Sequence, residues 1–251
     1  MAINPGGTAR QLCAAADEAL MEAAFRSGEF AETRRLSAEA REVAARDGNR
    51  QCEALALGTL AMTHHYGSVF RLVGGLPVDD GEVAAEDDLM RHALALWEET
   101  GDPVGTAMGL FGVSLVFQLR GDWAASMPYL WRSFGLAEAV EESGDLYGCA
   151  EIHRHVGFYY LTGEVRPREA VRRLACSLAL REKLGDAKRL PSALTALGEA
   201  EIAAGNPRRA AGLLQRAVRI AHETGLLPWR IQDAEETLHK AEAALPAPVE
   251  G

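Results

Sequence analysis

Lysine is nearly missing from this chain, with 3 lysines against 23 arginines in 251 residues. Together with abundant alanine and glycine, that bias marks a GC-rich genome and carries no chemistry of its own. Cysteine is scarce too. Cys13, Cys52, Cys149 and Cys176 lie far apart with no C-x-x-C pair, whereas zinc ligands usually come two to four residues apart. Set among Ala, Leu and Gly, they read as small buried hydrophobes in a reducing cytoplasm. No apolar run approaches the roughly 18 residues of a membrane span. The start, Met1 to Gly7, has neither a basic opening nor an apolar run, so no secretory signal is expected. Alternating Val, Ile and Thr never extend beyond a few residues, which argues against strands. The sequence also lacks G-x-S-x-G, G-x-x-x-x-G-K-[ST], G-x-G-x-x-G and H-E-x-x-H. An ordinary hydrolase, nucleotidase or nicotinamide enzyme is therefore not expected, nor is a metal or other cofactor.

What is present is the composition of a folded domain, 48% hydrophobic and 25% charged. With 36 acids against 26 bases, the net charge of −10 would repel a polyphosphate backbone and argues against nucleic acid as a partner. The charge is uneven. Residues 1–153 hold 11 bases and 24 acids, whereas residues 154–251 hold 15 and 12. Arg166, Arg168, Arg172, Arg173, Arg208, Arg209, Arg216 and Arg219 crowd the second part. Such a dipole suits steering of an acidic partner or head-to-tail pairing with another copy; the plainer reading is a solvated face of local ion pairs.

Two interleaved series of glycine turns share one period. Gly121, Gly163 and Gly205 are 42 residues apart, and Gly101, Gly144, Gly185 and Gly225 follow at 43, 41 and 40. Between turns the apolar positions fall at helical spacing, as at Leu194, Leu197, Gly198 and Ile202. Prolines gather at helix starts, with Pro103 after Asp102 and Pro207 after Asn206. The predicted pairs are 9–27 with 31–46, 50–66 with 84–100, 104–120 with 123–142, 146–162 with 167–184, and 189–204 with 207–224. A polar last helix over 229–244 would cap the stack with Asp233, Glu235, Glu236, Lys240 and Glu242 outward. Residues 9–245 thus read as one helical repeat domain, with frayed ends at 1–8 and 246–251.

At Leu194…Leu197-Gly198…Ala210…Leu214…Ala217 the chain resembles the tetratricopeptide repeat family. His153…Val156-Gly157…Tyr160 with Ala170…Leu174 gives a second copy, Met108…Phe111-Gly112…Leu115 a third, and Leu57-Gly58 a weaker one. The period of about 42 exceeds the family's usual 34 and is similar to the long-repeat variant in sensor regions of bacterial signal-transducing transcription activators. The resemblance implies an all-α fold: a right-handed α-solenoid of about five helix–turn–helix repeats plus a C-terminal capping helix. First helices would line a concave groove and second helices an outer wall.

By that pattern the groove residues are Glu18, Glu22, Leu55, Thr59, Gly109, Val113, Glu151, Arg154, Phe158, Ser192, Thr195 and Glu199. Arg154 and Phe158, one turn apart, place a cation and an aromatic ring inward; the plainer alternative pairs Arg154 with Glu151 as helix support. The partner expected there is another protein, a peptide or a small effector, in a regulatory, non-catalytic role.

The alternative is a catalytic or accessory subunit of a natural-product biosynthetic enzyme, using His153, His155 and Tyr159 beside a central aromatic cavity. His titrates near neutrality and suits acid–base work, but His153 and Tyr160 fall on the packing face. His155 and Tyr159 would turn towards a neighbouring helix or outward. Adjacent His64 and His65 point in different directions and cannot share one site. The stretch 67–83 reads as a Gly-rich insertion loop, either a lid or docking surface or a connector whose Phe70 and Leu72 extend the core. The acids from Asp79 to Asp88 read as a solvated helix start.

Overall fold

The computed structural model describes residues 5–185 and 187–245. They form twelve α-helices, two π-helical turns and a 3-10 turn, with no strand among the described residues. Helix α1 (Pro5–Glu22) runs into a π turn at Ala23–Ser27. It is followed by α2 (Ala31–Arg46), α3 (Arg50–Val73), α4 (Asp80–Thr100), α5 (Pro103–Leu119), α6 (Trp123–Gly135) and α7 (Ala137–Glu142). Helix α8 (Leu146–Phe158) ends in the second π turn, Tyr159–Gly163. Then come α9 (Pro167–Leu184), a 3-10 turn at Ala187–Arg189, α10 (Leu190–Ala203), α11 (Pro207–Thr224) and α12 (Pro228–Ala243). The chain divides into two compact units, residues 1–143 and 144–251. Within each unit the helices pack against their neighbours in chain order, a solenoid-like succession of hairpins. Of the ends expected to fray, 1–4 and 246–251 lie outside the described residues, and 5–8 open α1 as helix.

Short acids set the helix starts. The Asp102 carboxylate accepts from the amides of Val104 at 2.9 Å and Gly105 at 3.1 Å, with Pro103 where an amide would have no partner. Asp79, Asp122 and Asp145 cap α4, α6 and α8 in the same way. Each such cap contributes about 1 kcal/mol. Helices α4, α9 and α11 stop at Gly101, Gly185 and Gly225, all at positive φ, where a Cβ would meet its own carbonyl.

Two boundaries differ from the sequence reading. Helix α3 continues to Val73, so the insertion over 67–83 is helical except for residues 74–79. Phe70 is the reason: its ring packs 5.7 Å from Phe30, against a cluster with Leu20 and Ala23. Beyond Phe70, Leu72, Val73 and Leu76 are exposed. The helix expected over 123–142 breaks at Leu136, after Gly135, the weakest helix former in that stretch apart from Pro128.

The two units pack their glycines differently. Helix α5 is buried almost all round, and its Gly105, Gly109 and Gly112 lie against Trp97, Leu94 and Met90 of α4. A Cβ on Gly105 would stand 2.1 Å from the Trp97 ring. In the second unit, Gly157 and Gly198 instead receive a leucine from the helix that follows, Leu174 and Leu214, 2.6 and 2.7 Å from where a Cβ would be. Around Leu174 and Leu214 the core is filled by Ile152, Leu194, Leu197 and a series of alanines.

Candidate functional site

The expected groove residues fall in both units. In the first, Glu18 and Glu22 are exposed on α1, with Glu22 3.7 Å from Arg26. Thr59 is half-buried on α3, one turn after the exposed Leu55. Gly109 and Val113 are buried, not presented. The first unit's chemistry lies elsewhere, between α3 and α4. His65 Nδ1 is 2.9 Å from Glu86 Oε1, and His64 Nδ1 is 2.6 Å from Glu82 Oε2. The two histidines do point apart, yet each meets its own carboxylate, because Glu82 and Glu86 stand one turn apart on α4. Glu86 is fully buried and so is no part of a solvated helix start.

In the second unit Arg154, Phe158 and Glu199 come to a face formed by α8, α10 and α12. Phe158 packs on the apolar core, and the Arg154 guanidinium lies 4.5 Å above its ring, a contact worth about 0.5–2 kcal/mol according to its exposure. Glu199 is half-buried on α10, one turn beyond the buried Thr195. Burial pushes the Glu199 carboxyl above its usual range, Asp233 on α12 raises it further, and Arg154 and Lys240 oppose the rise. Asp233 is raised by burial too, against the pull of Arg154 and Lys240. Arg154, Glu199, Asp233 and Lys240 therefore share one electrostatic neighbourhood across three helices. Asp233 and Lys240 are exposed, as expected of the cap, and lie beside the buried stripe of Ala234, Thr237 and Ala241 on α12.

Glu151 plays a different part. It is buried, and its carboxylate is gripped by Arg181 of α9, itself 2% exposed. Arg181 also donates to the Arg189 carbonyl at 2.7 Å and to Ser192 Oγ at 2.9 Å. This knot joins α8, α9 and α10. Arg154 stands 4.0 Å from the other Glu151 oxygen, so the one-turn pair is present at the outer limit of an ion pair and Arg181 adds the tighter one. Sequence reading missed Arg181 because it sits 30 residues away on the second helix, which periodicity assigns to packing.

The alternative catalytic residues separate. His155 is half-buried, its Nε2 3.9 Å from Glu151 and its ring edge-on to Phe158. Tyr159 sits in the π turn and donates to Glu164 at 3.3 Å; burial, then Glu164, raises its phenol. His153 is half-buried one residue after the core Ile152. Among the described residues no three of His, Cys, Asp and Glu converge as metal ligands would. An open cleft of about 410 Å³ lies between Arg166–Glu169 and Ala203–Ala204, next to the Glu164 that accepts from Tyr159.

No family model matches this chain. No curated protein matches it either. Among solved structures, the crystal structure of BtubC (BKLC) from P. vanneervenii is distantly similar, at 17% identity and a TM-score of 0.49 over 90% of this chain and 95% of that one.

The arginines of the second half are largely occupied close to home. Arg166 and Arg172 pair with Glu164 and Glu169, and Arg209, Arg216 and Arg219 with Glu201, Glu182 and Glu223. That is the solvated wall of local ion pairs. No helix among the described residues is long and apolar enough to cross a membrane.

Proposed function

We propose that this protein is a tetratricopeptide-like, non-catalytic binding protein that holds a segment of a partner protein on the α8–α10–α12 face of its second unit, in an adaptor or regulatory role. One observation carries the reading. Arg154 and Phe158 form a stacked cation and ring on α8, and the half-buried Glu199 of α10 and the exposed Asp233 and Lys240 of α12 share their electrostatic neighbourhood. A cation laid over a ring among charges from three helices is suited to a ligand more than to packing.

The test is affinity capture from the native host with the wild type and an Arg154→Ala/Phe158→Ala variant, both verified as helical. A partner kept by the wild type and lost by the variant is the expected result. Equal recovery from both would move binding off this face, and recovery of none would end the adaptor reading.

A further inference from the structure

We propose that the α3–α4 turn of one molecule docks in the cleft beside the α8–α9 turn of a second copy of this chain, a contact between two unlike surfaces. It does not depend on the binding role above. Its origin is apolar surface that nothing in the fold covers. Leu72, Val73 and Leu76 are 45%, 49% and 53% exposed at the α3–α4 turn. Val165, just before α9, is 72% exposed, more than any other large apolar residue among those described. The α3–α4 turn is held in shape by its own bonds. The Leu76 amide donates to the Arg71 carbonyl at 2.8 Å, Gly75 to that of Leu72 at 3.0 Å, and Arg71 Nε to the Pro77 carbonyl at 3.0 Å. Gly75 takes the positive φ of 71° that this kind of helix ending needs. Such an ending often tucks its last apolar residue back onto the helix. Here Leu76 stays outward on a fixed frame, so seating it in a partner costs little ordering.

Charge and shape select the occupant. Acids follow the apolar plug: Asp80 has its side chain 93% exposed, with Arg120 3.6 Å away, and Asp88 is exposed with no ion pair among the described residues. The second surface carries the opposite sign. Pro167, Ala203 and Ala204 line the open cleft together with Arg166 and Arg168. Arg168, and Arg208 at the start of α11, are exposed and hold no ion pair among the described residues, on a wall whose other arginines are largely paired at home. An apolar plug with an acidic rim thus has its counterpart, an apolar cleft with a basic rim, on the same chain. Plug against plug would set acid against acid, and cleft against cleft arginine against arginine, so the like-with-like contacts are disfavoured and the unlike one remains.

The experiment is sedimentation equilibrium of the full chain from about 1 to 100 µM, the range expected of a contact this small. The weight-average mass should rise above the 27.0 kDa of one chain with concentration, and fall back in about 0.5 M sodium chloride as the charged rims are screened. Leu72→Asp/Leu76→Asp, which spoils the plug, and Val165→Asp/Arg168→Glu, which spoils the cleft, should each stay monomeric with unchanged helical circular dichroism. Mixed in equal amounts, the two should associate again, because each supplies the surface that the other lacks. Arg154→Ala/Phe158→Ala should associate as the wild type does. A wild type that remains a monomer at about 100 µM would overturn the contact with no variant involved. A wild type that associates while the mixture does not would overturn the pairing of unlike surfaces. Association surviving in either blocked variant would overturn the assignment to that surface, and its loss in the Arg154/Phe158 variant would move the contact to the α8–α10–α12 face. Association unchanged by salt would overturn the charge pairing.

Discussion

The two units answer one sequence pattern in opposite ways. At Val156-Gly157 and Leu197-Gly198, in the second unit, the glycine is a socket for a leucine of the following helix. At Phe111-Gly112 in the first unit, the glycine faces backwards onto Met90 of the preceding helix, and at Leu57-Gly58 a Cβ would meet open space. Charge separates them as well: the first unit holds 11 bases and 22 acids, the second 15 and 14. A small residue in a repeat therefore marks a close approach without saying which helix approaches. Only the second unit uses it in the repeating sense.

Breaking the second unit's own framework should give the largest effect. Glu151→Ala or Arg181→Ala leaves one buried charge without its partner and should cost about 3–5 kcal/mol, measured by urea unfolding. Removing the exposed Arg35–Glu32 pair of the first unit should leave the urea midpoint unchanged. Next in size is the glycine comparison. Gly157→Ala or Gly198→Ala forces a leucine aside and should destabilise by about 1–3 kcal/mol. Gly58→Ala, at the matching place in the first unit, should stabilise by about 0.5–1 kcal/mol, since helix propensity acts there without a clash. Equal signs at both places would remove the contrast.

A smaller effect belongs to Glu199 and Asp233. Folding raises the titration of Glu199 and Asp233 above their ordinary range of about 4. The folded state then binds more protons than the unfolded one between that range and the raised values. The stability these two groups contribute is therefore present at acid pH and lost as pH rises through the raised values. Glu199→Gln/Asp233→Asn should flatten that pH dependence and raise Tm at neutral pH; an unchanged slope would show that the site is already satisfied. Least costly to stability is thiol chemistry. Burial, with Cys52 beside it, pushes the Cys13 thiol up to about 12, so Ellman's reagent should label the exposed Cys176 of the second unit and spare Cys13 until the chain unfolds.

Much of this was legible in the sequence, because glycine turns, aspartate caps and prolines at helix starts are local signals. The helix pairs follow them closely. What failed to show were features decided at long range. Phe70 extends α3 because Phe30 waits forty residues earlier in the chain. Glu86 is buried because His65 faces it across a hairpin. Of the candidate site, Arg154, Phe158 and Glu199 follow from spacing on single helices. Asp233 and Lys240 joined them only once α12 lay against α10, and Arg181 took Glu151 through a contact between helices that no spacing reveals.

The π turns at Ala23–Ser27 and Tyr159–Gly163 carry a consequence for how this chain tolerates change in length. A π turn is an α turn widened to hold one more residue. Both lie at the end of a first helix, just before the chain reverses, so the displaced phase runs out into a bend and never reaches the next packed stripe. Deleting one residue there would shorten the turn to ordinary α-helix and keep both flanking faces in step. A deletion in the middle of α10 would rotate everything after it by about 100°. Gain and loss of single residues therefore have two harbours in this protein, one in each unit, each at the lip of a hairpin.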